Sequence, residues 1–292
     1  CNENGYYTLF ESDRYGFNNP DDQWDSDNIE FFIVGDSFAM GECVNRPYDF
    51  GSVLRTLSNK ASLNLGYSSN GPNIQYAVMR EYLDKRVKNI LWMYYEGNDL
   101  QDMLDTFNNS KMIKNYLNDL KFSQNLKFKQ NKLDELNDIN IKKQLDYHQE
   151  RERRKTKYQI LRFIRLDKTK DALKKIIKPV EEKTFNKNDF LKFKNVLNLS
   201  KILAKENGSK IHFIYLPSYK RLKGSSSKEE NIQRKKVLSI IKELDISLID
   251  IEVELLSKNI EYSKIFPFGM YGHYNIDGYR IISNIIYEKI TN

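Results

Sequence analysis

Phe31-Phe32-Ile33-Val34-Gly35-Asp36-Ser37 is the stretch that decides the fold. Four apolar residues in a row, without alternation, predict a short strand buried on both faces. Gly-Asp-Ser then ends the strand in turn-forming residues. Downstream, residues 47–59 predict a helix with Phe50, Val53, Leu54 and Leu57 on one face, and residues 61–65 a second strand. A Gly/Ser/Asn loop runs to Pro72. Residues 73–86 predict a helix that turns Ile74, Ala77, Val78 and Tyr82 inward, and residues 89–95 a strong central strand broken by Glu96-Gly97-Asn98-Asp99. The pattern resumes with a helix at 190–206, a strand at 211–216, a helix at 228–243, a strand at 246–251 and a closing helix at 279–290. This repetition predicts an α/β protein: a three-layer α/β/α sandwich around a parallel five-stranded sheet. Crossovers in such a sheet are right-handed, and ligands bind beyond the carboxyl ends of the strands.

Two regions stand outside the repetition. Residues 1–30 are rich in Asn, Asp, Gly, Pro and Tyr and read as an N-terminal arm whose aromatics pack on the body. Residues 31–292 form the main domain. Within it, about residues 105–188 are dense in Lys, Asn, Asp and Gln with spaced Leu, Ile and Phe, and predict an insertion of two or three amphipathic helices. The basic run from His148 to Lys157 is a solvated helix face or a contact for anionic lipid or a partner protein.

The 292-residue chain carries a formal charge of +7, with 30% charged and 40% hydrophobic residues. Its pI is near 9.0 and its mean hydropathy is -0.67. A lysine- and asparagine-rich composition produces such a charge without any polyanionic partner. No nucleic-acid motif accompanies it, since the aromatics are not interleaved with a basic stripe. Three histidines argue against a multi-histidine metal site. The apolar runs are too short to span a membrane. Two cysteines, Cys1 and Cys43, make no disulfide framework, and Cys43 in its small, apolar surroundings is expected as a buried thiol. The chain begins without an initiator methionine. A lipid-bearing Cys1, or an anchor removed upstream, would place the protein at a membrane of the cell envelope; otherwise it is cytoplasmic.

Three short motifs fall at strand ends. Ser37, directly after a strand, can turn its hydroxyl to a cleft and its backbone N–H to a developing oxyanion; a tight turn with a helix cap accounts for the same tripeptide. Asn98 sits at the end of the neighbouring strand and can donate an amide hydrogen to the same oxyanion; an Asx turn is the alternative. His273, in Gly272-His273-Tyr274-Asn275, is a candidate general base. His148 reads as a surface residue and His212 as a structural one.

The order of these motifs resembles that of the SGNH (GDSL) hydrolases. Val34-Gly35-Asp36-Ser37-Phe38 is similar to their first block, Glu96-Gly97-Asn98-Asp99 to the block of the oxyanion asparagine, and Gly272-His273-Tyr274-Asn275 with Gly278-Tyr279 to that of the catalytic histidine. The likeness covers residues 31–100 and 208–290. It implies the SGNH/flavodoxin-like sandwich, Ser37 as nucleophile, His273 as base, and Asn98 with the backbone N–H groups of Ser37 and Ser69 as the oxyanion hole. No cofactor is implied. Two positions depart from the family. Ser69 stands where a glycine is usual, and Met270 stands three residues before His273, where the family places its aspartate. Asp277 and Asp250 are the candidate replacements for that acid. The implied activity is hydrolysis of an acyl ester, an O-acetyl group on a carbohydrate or lipid, in a bacterial envelope. The alternatives are acyl transfer to a surface glycan and glycan binding without catalysis. The loop at 219–227 and the inserted helices are expected to shape the acyl and alcohol pockets.

Overall fold

The computed structural model describes residue 5, residues 7–164 and residues 184–291, with side chains over the same span except 152–164. The chain divides into two compact units, Cys1–Gln124 with Phe185–Asn292, and Asn125–Thr184.

The first unit is built on β1 (Ile29–Val34), β2 (Ala61–Asn64), β3 (Val87–Tyr95), β4 (Lys210–Leu216) and β5 (Ser247–Asp250). All pair in parallel, in the order β2-β1-β3-β4-β5. The helices are α1 (Ser37–Met40), α2 (Phe50–Ser58), α3 (Pro72–Tyr82), α4 (Asp99–Asn109), α5 (Lys111–Asn118), α7 (Lys187–Glu206), α8 (Tyr219–Leu222), α9 (Lys228–Glu243), α10 (Ile251–Ser257) and α11 (Ile276–Thr291); α6 belongs to the second unit. Alternate strand residues face opposite layers, as the pleat requires. Phe31, Ile33, Leu91, Met93 and Ile214 meet Phe50 and Leu54 of α2 and Ile282, Ile285 and Ile286 of α11. On the other face Tyr94 and Phe213 pack on Phe193 of α7, with ring centroids 5.6 and 6.4 Å apart. Both layers are apolar, which is why β1 and β3 read as unbroken apolar runs. Strand order reverses between β1 and β3, and in such sheets ligands bind beyond the carboxyl ends of the strands at that point.

The arm is tied to the edge strand by hydrogen bonds that substitute for a sixth strand. Asn19 accepts from Asn64 N (2.7 Å) and donates to Asn64 O (3.0 Å), while buried Asp13 accepts from Asn19 Nδ2 (2.8 Å) and Trp24 Nε1 (2.7 Å).

The region outside the α/β repeat begins later than residue 105. α4 and α5 belong to the first unit: Asn73 Nδ2 donates to Met103 O at 2.7 Å, and the Glu81 carboxylate accepts from Tyr116 OH and Gln124 N. Their polar surface disguised helices that bury only a few residues each, among them Leu100, Met103, Ile113 and Tyr116. The described part of the second unit holds one 35-residue helix, α6 (Gln130–Ile164), after a 3-10 turn at Leu126–Phe128. Leu136, Ile139, Leu145 and Tyr147 are exposed on it. The side chains of Ile160, Leu161, Phe163 and Ile164 and much of the basic run lie outside the described residues, as do Leu166 and Cys1. Cys43 is buried, but it is disulfide-bonded and not the thiol expected. Among the described residues, no helix is long and apolar enough to cross a membrane, and no His/Cys/Asp/Glu group is arranged to hold a metal.

Candidate active site

Ser37 is the first residue of α1, the single helical turn after β1. Two glycines let that turn sit down on the sheet. A Cβ on Gly35 would lie 2.5 Å from Ala39 Cβ and 2.9 Å from Met93 O, and one on Gly66 would lie 2.6 Å from both Ala39 Cβ and Met40 N. Any side chain there would push the serine turn off the sheet. Asp36 caps the turn, accepting from Phe38 N at 2.9 Å. The N–H of Ser37, at the start of a helix, has no partner within that helix.

His273 reaches Ser37 from the loop before α11, with Nε2 2.8 Å from Ser37 Oγ. Residues 236 apart in sequence thus share one hydrogen bond. Aromatic packing seats the imidazole: Phe38 lies 4.6 Å from its centroid, and Phe38 itself stacks on Tyr95 at 3.8 Å. The loop is tied down on both sides of the ring. Tyr274 OH donates to Pro217 O and Tyr279 OH to Phe38 O, each at 3.0 Å. Burial pulls the pKa of His273 below its usual value, and the nearby Glu42 carboxylate opposes this only in part. The ring is therefore neutral at neutral pH, the state a base needs.

Asn98 caps the other strand end. Its amide donates to Asp102 Oδ2 at 2.6 Å and is shared with the Asp36 carboxylate beside Ser37. Beneath Asn98 the carboxyls of Asp36 and Asp99 are fully buried. Burial, with a smaller push from Asp102, drives Asp36 up to about 7, and burial together with Asp36 raises Asp99 well above the carboxylate range. Asp36 Oδ2, Asp99 Oδ1 and Asn98 Oδ1 have no hydrogen-bond partner among the described residues.

Ser69 lies on the loop after β2 with φ of +66°, the left-handed region in which a glycine would be unstrained. That loop is joined to the nucleophile turn through Tyr67 N, which donates to Gly35 O at 3.2 Å. The three loops that carry Ser37, Ser69 and Asn98 are all hydrogen-bonded to residues 35–36.

Solved structures share this architecture. An acetyl xylan esterase, AlAXEase, superposes with a TM-score of 0.50 over 90% of this chain and 100% of its own, at 9% identity. The two share a fold. A member of the lipolytic G-D-S-L family from Veillonella parvula DSM 2008 matches 90% of this chain and 99% of its own at 12% identity and a TM-score of 0.47. A variant of Axe2, an acetyl-xylooligosaccharide esterase from Geobacillus, matches 90% and 94% at 13% identity and a TM-score of 0.45. No protein-family model and no curated protein matches the sequence.

Within this fold, neither candidate acid contacts His273. Asp277 projects from α11 and pairs with Arg280 one turn on, at 2.7 Å, with more than half of its side chain exposed. Asp250 ends β5 and is held by Arg234 at 2.5 Å. Both carboxylates are committed to arginines, so both assignments are withdrawn. Met270 is 58% exposed, and His273 Nδ1 makes no hydrogen bond among the described residues.

Two carboxylates escaped the sequence reading. Glu96 looked like part of a polar break, yet it is the centre of a buried clamp. It accepts from Tyr215 OH (2.5 Å), Ser218 N (2.8 Å) and Arg221 Nε (2.5 Å). Arg221, in the segment after β4, turns its guanidinium inward to this carboxylate. Glu42 stands 3.6 Å from His273 Nε2. Its only sequence signal is position: one residue past the glycine that ends the Ser37 turn.

Proposed function

We propose that this chain is a serine esterase that hydrolyses an acyl ester, with an O-acetyl group on a carbohydrate as its substrate class. The observation that carries the proposal is the 2.8 Å contact between Ser37 Oγ and the Nε2 of a neutral His273, at the point where strand order reverses. In the reaction, Ser37 Oγ bonds to the ester carbonyl carbon as its proton passes to Nε2. The carbonyl electron pair moves to oxygen, where the N–H groups of Ser37 and Ser69 and the amide of Asn98 receive it. Collapse expels the alcohol, which takes the proton from Nε2. Water then attacks the acyl-serine with His273 again as base, and Ser37 is restored. No cofactor enters this cycle.

A carbohydrate is favoured over a lipid by two exposed rings that precede His273 in the sequence. Tyr271 is 73% exposed and Phe268 64%, the latter in a left-handed backbone conformation, so both offer flat faces suited to a sugar ring. The esterases that share the fold include two named for acetylated xylan substrates. The disulfide at Cys43 suits an oxidising compartment such as the cell envelope.

The test is hydrolysis of p-nitrophenyl acetate by wild type and Ser37→Ala. We expect a burst followed by turnover in the wild type, and a loss of at least ~10³-fold in the variant. Equal rates would overturn the proposal and favour glycan binding without catalysis. A burst without turnover would point to acyl transfer, with water a poor acceptor.

A further inference from the structure

We propose that Glu42 is the carboxylate partner of His273, set on the Nε2 side of the ring in place of the aspartate missing at position 270. This inference rests on the serine–histidine reading above and names the group that reading lacks.

The backbone leaves Glu42 little choice of position. After the single turn of α1, Gly41 takes φ +84°, Gly41 N donates to Phe38 O at 3.4 Å, and Glu42 N donates to Ser37 O at 3.2 Å. This pair of bonds is a helix-terminating motif that folds the sixth residue back over the first. Glu42 is therefore hydrogen-bonded to the carbonyl of the nucleophile itself. From there its side chain crosses to the neighbouring loop, where Ser68 Oγ donates to Oε2 at 3.4 Å, and the same oxygen lies 3.6 Å from Nε2. Among the described residues no other carboxylate is within ion-pair distance of His273.

The two distances at Nε2 divide the labour. At 2.8 Å the serine holds the hydrogen bond, so the proton moves along that line. At 3.6 Å Glu42 is beyond a good hydrogen bond and acts by charge. Its negative field favours the imidazolium that forms as Ser37 attacks, which the aspartate of a Ser-His-Asp triad does from the Nδ1 side. Glu42 touches no reacting atom and is a positioning residue acting through His273. The groups facing the imidazole are Ser37 and Phe38 from α1 and Glu42 beyond it, with Tyr95 and Tyr274 packed on Phe38; among the described side chains only Glu42 brings a charge.

The experiment compares wild type, Glu42→Gln and Glu42→Asp in two readouts. The first is an NMR titration of His273, resolved from His148 and His212, which needs no substrate. Loss of the charge should lower the proton affinity of His273 in Glu42→Gln by about tenfold, a lower pKa, while Glu42→Asp retains part of it. The second is the pH profile of p-nitrophenyl acetate hydrolysis. Glu42→Gln should lower kcat about tenfold on the neutral plateau with little change in KM. The deficit should shrink towards acid, because the variant histidine stays neutral to lower pH. An unchanged His273 titration in Glu42→Gln overturns the inference, whether or not the wild type hydrolyses the ester. A shifted titration with an unchanged plateau rate overturns it as well. A wild type that lacks Ser37-dependent turnover sinks the esterase proposal instead, and the titration still decides whether Glu42 governs the histidine.

Discussion

Two groups of buried acids lie along the same carboxyl edge of the sheet, and they are satisfied very differently. Glu96 has an arginine, a tyrosine hydroxyl and a backbone N–H on its two oxygens, and Arg221 is filled in turn by Asn231 Oδ1 at 2.9 Å. A few residues away, Asp36 and Asp99 share fully buried space, served by the Asn98 and Gln75 amides and backbone N–H groups. Among the described residues no cation pairs with either, and one oxygen of each has no close partner. Complete satisfaction marks a clamp that holds β3 to the loop after β4. Incomplete satisfaction, kept in place by the surrounding fold, marks the ground beneath a reaction site. The first group should govern stability and the second chemistry.

Breaking the clamp should therefore have the largest effect on stability. Arg221→Ala strands the Glu96 carboxylate in the interior, and urea unfolding should show a loss of about 3–5 kcal/mol. A loss under ~1 kcal/mol would make the clamp ornamental. In the other group Asn98→Ala should lower kcat about 10²- to 10³-fold, the cost of one oxyanion donor, with a much smaller change in unfolding free energy. A variant that loses stability in proportion to rate would erase the distinction.

Asp36→Asn sharpens the contrast through pH. The folded-state pKa of Asp36 is raised, so its contribution to stability is fully present below the unfolded value near ~3.9 and is lost as pH rises through about 7. Asn keeps the capping oxygen and carries no proton equilibrium. Melting temperatures should show the variant gaining on the wild type from pH 5 to about 7 and levelling off above it, and a pH-independent difference would refute the assignment. At the small end, Asp277→Asn disturbs an exposed ion pair with Arg280 and should change stability by less than ~0.5 kcal/mol and leave the rate unchanged.

The elements that were legible in the sequence are those whose signal is local. Phe31 to Val34 and Leu91 to Tyr95 are buried on both sides, and such strands announce themselves as apolar runs. Residues 228–243 read as a helix and are one, Lys228–Glu243, with Ser227 and Glu230 in a reciprocal capping box. α4 and α5 were absorbed into the expected insertion because a short helix with one narrow apolar stripe differs little in composition from a solvated one. α10 was missed because Ile251 follows Asp250 without a break and the apolar run passes from strand to helix.

The sequence by itself determined the sandwich, the strand ends at which Ser37, Asn98 and His273 stand, and the absence of an acid before the histidine. Each follows from residue order and hydrophobic period. Only the tertiary structure decided which charges serve those residues. It committed Asp250 and Asp277 to arginines, buried Glu96 with Arg221, and brought Glu42 to the imidazole. A carboxylate in a sequence is only a charge. What it does depends on the cation, dipole or apolar wall within a few ångströms, and those neighbours arrive from strands and loops far along the chain.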